Sequence, residues 1–208
     1  MSSTLKNVLI IGDSLSIGYT PYVAADLADV ALVQHAPWDV SDGGAEEAAY
    51  FLQCLDNWLH SPSGMPLQVD LIYFNSGMHN LLAPGSSTVP GQSGTYDEYA
   101  SELAQGVLQL QAYAKASGTK LLYGLTTPFL CSADTDGIIA HTLNANASAI
   151  MAAQGIAVVD QHAPIIAKCG VAPVASCFAL KGCFCPHCPP GYSWLSSTVI
   201  APAIRAML

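Results

Sequence analysis

Positive charge is scarce in this chain. Of 208 residues only 6 are Lys or Arg, against 15 Asp or Glu, giving a formal net charge of −9. Nucleic acid and anionic membrane surfaces are held by clustered cations, so the composition argues against both as partners. Charged residues reach only 10%, while hydrophobic residues make up 51%, a balance that argues against intrinsic disorder. No uninterrupted apolar run approaches the ~18 residues of a membrane span. The longest candidates are broken by Asp70, Asp160, His162 or Lys168. The run Val8–Ile11 is shorter than the roughly 7–15 residues of a signal-peptide core, so no targeting signal is expected there. A glycine-rich phosphate fingerprint is also missing after the first apolar run, which argues against a nucleotide or flavin binder. There is no internal repeat, and domains of roughly 100–200 residues are typical, so residues 1–208 read as a single domain.

Cysteine is present but uneven. Five of the seven cysteines fall between Cys169 and Cys188. That density favours local disulfides and a secreted or otherwise oxidising compartment. The missing signal peptide favours the cytoplasm instead, so the sequence assigns no compartment. Cys183, Cys185, His187 and Cys188 are chemically suited to zinc, but His187 and Cys188 are adjacent, whereas paired zinc ligands are usually separated by two to four residues. No metal is expected. Cys54 and Cys131 read as core or loop thiols.

The remaining pattern alternates strand and helix. Asn7–Ile11, Val30–Gln34, Val69–Phe74, Lys120–Leu125 and Gly155–Val159 are short apolar runs that read as strands. Between them, helices are expected over Thr20–Asp29 (Thr20 as N-cap, Pro21 at the first helical position), Ala45–His60, Tyr96–Ser117 and Gly137–Gln154. A last helix, Tyr192–Met207, is expected to kink or split at Pro202. Five strands separated by helices imply a parallel sheet covered on both faces, a three-layer α/β/α sandwich with flavodoxin-like topology. Such folds place their sites at the carboxyl ends of strands. Pro84–Gly94 is the most loop-like stretch and reads as an insertion or lid.

Four groups of polar residues occupy such positions. The first strand runs into Gly12-Asp13-Ser14, which would expose a serine hydroxyl and leave its N–H open to an oxyanion. An ordinary Ser/Asp turn is the simpler reading of that tripeptide alone. Ser41-Asp42-Gly43-Gly44 follows the second strand, where glycine permits close approach of a backbone N–H; alone it reads as a tight turn. The third strand runs into Asn75-Ser76-Gly77-Met78-His79-Asn80. Finally, His187 lies just before the last helix and could act as general base, or simply be ordered by its cysteine neighbours. His162, after the fifth strand, is a weaker candidate base. His35, His60 and His141 read as ordinary histidines.

Together the four groups resemble the SGNH (GDSL) hydrolases, serine esterases and lipases on a flavodoxin-like fold. The resemblance spans Asn7 to Leu208. It implies Ser14 as nucleophile, His187 as base, and an oxyanion hole from the N–H groups of Ser14 and Gly44 (Gly43 as fallback) with a side chain at His79 or Asn80. It implies no cofactor, and a small-molecule ester as substrate. Two positions depart from the family pattern. Phe184 stands where an aspartate normally orients the base, and no carboxylate lies within fourteen residues before His187 or anywhere after it. His79 stands where the family has an oxyanion asparagine, with Asn80 in the place of the aspartate. The closest resemblance is to a branch with G-x-H-(D/N) and a Cys-flanked final histidine. A neutral imidazole at His79 would still carry one N–H donor. The mechanism implied is attack of Ser14 Oγ on an ester carbonyl with proton transfer to His187, and activity falling below about pH 6–7 as His187 gains a proton. Transfer of the acyl group to an alcohol other than water uses the same pair. A fold whose catalytic set has decayed into a binding module is the competing expectation.

Overall fold

The computed structural model describes residues 5–37, 44–61, 63–129, 133–171, 177 and 189–208. Five parallel strands form one sheet: β1 (Lys6–Ile11), β2 (Ala31–Ala36), β3 (Leu71–Phe74), β4 (Lys120–Gly124) and β5 (Ala157–Val159), in the order β2-β1-β3-β4-β5. The reversal of strand order beside β1 is a topological switch point, where open α/β sheets place their crevice. β1 and β3 run side by side, with Ile11 paired to Phe74, so the segments after these strands leave the sheet together. Val8–Ile11 and Leu71–Phe74 are buried throughout, as continuous apolar strands covered on both faces must be.

The helices are α1 (Ser14–Asp26), α2 (Ala48–Trp58), α3 (Tyr99–Ser117), α4 (Ala133–Ile138), α5 (Asn144–Ala153), α6 (His162–Cys169), α7 (Pro189–Leu195) and α8 (Ala201–Met207). Single π-helical turns join α4 to α5 (Ile139–Leu143) and α7 to α8 (Ser196–Ile200). The expected α/β/α sandwich is therefore observed. Phe51 of α2 stacks on Phe74 of β3, which meets Tyr123 of β4 edge-on, carrying aromatic packing from the helix layer across the sheet.

Several elements differ from expectation, and in three places an acidic side chain is the cause. α1 begins at Ser14 rather than Thr20, because Asp13 caps it: the Asp13 Oδ1 accepts from Leu15 N at 2.9 Å. Pro21 thus lies inside the helix, where burial of Leu15, Tyr19 and Val23 outweighs its missing N–H. α2 begins at Ala48 rather than Ala45, because the Glu47 carboxylate accepts from both Ala49 N and Tyr50 N and starts the helix there. Gly44–Glu46 are left as loop. Third, α6 was not expected; Asp160 starts it by accepting from His162 N at 2.8 Å and Ala163 N at 2.9 Å. Pro202 falls in the first turn of α8, so the closing helix is split where expected.

α7 and the π-helical turn after it pack against α1. The Tyr192 ring fills the space that a Cβ on Gly18 would occupy. Ser196 Oγ donates to Asp26 Oδ2 at 2.6 Å, and the Arg205 guanidinium grips Asp29 through both terminal nitrogens at 2.8 and 2.7 Å. Cys169 and Cys177 are joined by a disulfide, with Cα atoms 5.4 Å apart. No helix among the described residues is long and apolar enough to cross a membrane.

Candidate active site

Ser14 is the first residue of α1 and is exposed, whereas Asp13, Leu15 and Ser16 around it are buried. The turn is held from beneath. The Asp13 carbonyl accepts from Ile17 N at 3.0 Å and from Ser16 Oγ at 2.6 Å. Ser14 N has no acceptor among the described residues, as expected for the first N–H groups of a helix, which carry partial positive charge. The hydroxyl and the N–H of Ser14 therefore sit together at a helix start.

Gly44 lies against this turn. Its φ is +91°, and a Cβ there would overlap Gly12 O and come within 2.8 Å of Asp13 Cα. Only glycine satisfies both constraints. The neighbouring Ala45 N donates to Gly12 O at 2.7 Å, stitching this loop to the end of β1.

The segment after β3 completes the cluster. Asn75 N donates to Ile11 O at 2.9 Å, and its buried amide reaches across to Gly124 O at 2.7 Å. Gly77 has φ +119°, and a Cβ there would overlap the Tyr99 ring. His79 N donates to Glu46 O at 3.2 Å, two residues beyond Gly44, so the segments carrying Ser14, Gly44 and His79 are connected by backbone hydrogen bonds. The His79 ring is half-buried. Its Nδ1 lies 2.9 Å from Gln92 O and 3.7 Å from Glu46 Oε2.

Asn80 is fully buried and engaged at both ends of its amide. Oδ1 accepts from Ala48 N at 2.8 Å, at the start of α2, and Nδ2 donates to Thr95 O at 3.0 Å. Asn80, expected with His79 among the oxyanion-hole side chains, is thus placed where its amide ties α2 to the loop, while the His79 ring beside it is partly exposed. The loop expected as a lid is clasped along its base. Leu82 pairs with Thr95 and Val89 with Ser93, Gly94 N donates to His79 O at 3.0 Å, and Gly91 N donates to Glu47 Oε1 at 3.3 Å.

Two other histidines have partners of their own. His35, at the end of β2, places Nε2 2.6 Å from Ser16 Oγ, and burial pushes its imidazole down to about 4. It is therefore neutral near pH 7 and braces the turn beneath Ser14. His162 pairs with Asp136 at 2.9 Å. It follows β5, three strand positions or about 14 Å from β1, which separates it from Ser14 and disfavours it as the base. His187, Gly43 and Cys131 lie outside the described residues, as do Cys183, Cys185 and Cys188.

The sequence did not point to Glu46, Glu47 or Gln92. The adjacent glutamates are a legible helix-start signal, but an expected start at Ala45 placed them inside the helix. Nothing in the sequence marks a main-chain carbonyl such as that of Gln92.

No family model matches the chain, and no curated protein matches it either. Solved structures do. A GDSL-like lipase from Bacteroides thetaiotaomicron aligns over 98% of this chain and 89% of its own, at 16% identity and TM-score 0.62. An acetyl xylan esterase aligns over 91% of this chain and 96% of its own, at 14% identity and TM-score 0.64. An aryl esterase from M. smegmatis aligns over 98% of this chain and all of its own, at 18% identity and TM-score 0.56. The chain has the SGNH (GDSL) hydrolase fold.

Proposed function

We propose that this protein is a serine hydrolase of carboxylic esters, with Ser14 as nucleophile and His187 as base. The observation that carries this reading is the exposed Ser14 at the start of α1 with the Gly44 backbone packed against its turn. Ser14 Oγ adds to the ester carbonyl carbon while its proton passes to the His187 imidazole. The carbonyl oxygen becomes an oxyanion, received by the N–H groups of Ser14 and Gly44 and by the His79 ring. The C–O bond to the leaving alcohol then breaks, and His187 returns the proton to that alcohol. Water, deprotonated by His187, releases the acid from Ser14 and restores both residues. With Ser14 as acyl carrier, an acceptor alcohol in place of water would give acyl transfer.

Support for His187 comes from the end of the chain. Tyr192, five residues after it, packs on Gly18, one turn beyond Ser14. The fold neighbours named as a lipase and esterases agree with ester chemistry. A second reading, a silent binding module, is favoured by Phe184 in the place of the orienting aspartate.

Hydrolysis of p-nitrophenyl esters of increasing chain length by wild type, Ser14→Ala and His187→Ala, together with fluorophosphonate labelling, separates the two. The hydrolase reading expects labelling and turnover in wild type only. Wild-type turnover by Ser14→Ala would overturn it, and an unlabelled, inactive wild type would establish the binding module.

A further inference from the structure

We propose that Ser16 and His35 are positioning residues for the nucleophile: acting as a chain, they hold the Asp13 carbonyl so that the N–H of Ser14, at the other end of the same peptide, stays aimed out of the turn. The inference rests on Ser14 being the nucleophile, and it gives a task to a histidine that the sequence alone presents as ordinary. It starts from one hydroxyl with two close neighbours. Ser16 Oγ lies 2.6 Å from Asp13 O and 2.6 Å from His35 Nε2. The hydroxyl has one proton to give. Placed toward His35, that proton would leave two oxygens facing each other at 2.6 Å with no hydrogen between them, since a carbonyl can only accept. Placed toward Asp13 O, it requires the proton of the neutral imidazole on Nε2, donated to Ser16 Oγ. The cost is a lone pair on Nδ1 facing Pro37 O at 3.5 Å, outside the ordinary hydrogen-bond range. The second arrangement wins, and the chain runs from His35 Nε2–H to Ser16 Oγ–H to Asp13 O.

A trans peptide is planar, and its C=O and N–H point in opposite directions. The Asp13 carbonyl is drawn into the helix by Ser16 Oγ and by Ile17 N at 3.0 Å. Ser14 N–H therefore points out of the helix end, where it has no acceptor among the described residues and where Ser14 is exposed. The bond from Ile17 is the first rung of a helix, and terminal rungs fray. Ser16 Oγ takes the carbonyl's other lone pair, and His35 ties that hydroxyl to the end of β2. The turn is thus referred to the sheet and not only to its own helix. Both bonds of the chain donate in one direction, so each strengthens the other. Room for the chain is kept by Gly12, where a Cβ would come within 2.6 Å of Ser16 Oγ. Ser16 is also the nearest polar partner of the His35 ring among the described residues.

The test is kcat and KM for p-nitrophenyl acetate near neutral pH, on the full chain, with circular dichroism to measure the folded fraction. Ser16→Ala and His35→Leu should each lower kcat about 10-fold or more while KM stays within about twofold, because a misaimed oxyanion donor is missed in the transition state and not in substrate binding. His35→Gln places an amide N–H where Nε2 was and should restore kcat to within about threefold of wild type. Combining Ser16→Ala with His35→Leu should cost no more than Ser16→Ala alone, since the chain is already cut at its middle. Folded variants with wild-type kcat would overturn the proposal, as would losses that multiply in the double variant. Nitrogen-15 imidazole spectra of wild type test it without turnover. The neutral His35 ring should carry its proton on Nε2, and a proton on Nδ1 would overturn the proposal even if a variant fails to fold. Ser14→Ala is run alongside. Full turnover there would instead defeat the hydrolase reading, and this inference with it.

Discussion

Gly44 and Gly12 meet through bare backbone, with no room for a methyl group between the second loop and the end of the first strand. Both the contact and the positive φ of Gly44 exclude a side chain. Gly44→Ala should therefore push this loop off the Ser14 turn. Withdrawal of one oxyanion donor predicts a fall in kcat of about 100-fold or more. The check is kcat and KM for a p-nitrophenyl ester, with circular dichroism to establish that the sheet survives. An unchanged kcat would remove Gly44 from the proposed hole.

Asn80 predicts a different outcome. Its amide satisfies Ala48 N at the start of α2 and reaches Thr95 O across the loop. Asn80→Ala strands a buried N–H and should cost about 1–3 kcal/mol of stability. Below the melting temperature, the folded fraction should still label with fluorophosphonate at a rate near wild type. Loss of labelling without loss of stability would return Asn80 to the catalytic set.

His35 links the turn beneath Ser14 to pH. Its native value of about 4 lies below the ordinary 6.5, because burial disfavours the charged ring. Between those values the unfolded chain binds more protons than the native one, so native stability is full above about pH 6.5 and is lost as pH falls toward 4. The loss should be on the order of 1–3 kcal/mol, discounted for the ring's partial exposure. His35→Gln, which keeps a polar contact to Ser16, should flatten that slope in urea unfolding measured at pH 7, 5.5 and 4.

Glu102 titrates in the opposite sense. Burial, with Glu47 and Glu98 nearby, pushes its carboxyl up to about 7. The native state favours the protonated acid, so this stabilisation is complete at low pH and disappears as pH rises through 7. Glu102→Gln imitates the neutral acid. Its melting temperature should exceed wild type at pH 8 and match it at pH 4. Equal melting temperatures at pH 8 would show that the three carboxylates do not interact across their cavity.

The fold was legible because its strands are short apolar runs that admit few other arrangements, and Val8–Ile11 with Leu71–Phe74 account for the centre of the sheet. The Gly12-Asp13-Ser14 and Gly77–Asn80 segments were legible because each follows such a run. Helix starts were misread where an acidic side chain decided them: Asp13 brought α1 forward by two turns, and Glu47 held α2 back. The chemistry of His79 was illegible for a different reason. Which imidazole nitrogen is engaged depends on the carbonyl of Gln92, thirteen residues away, and a carbonyl has no letter in the sequence. The hydrogen bonds of Asn80 were likewise illegible, because a buried amide and an exposed one are written alike.

The grip of Arg205 on Asp29 and of Tyr192 on Gly18 fixes the last twenty residues against the helix that Ser14 begins. The closing helices are thus clamped to the same helix whose first turn carries Ser14, so a change at Tyr192 or Arg205 reaches that turn along α1 rather than through the sheet.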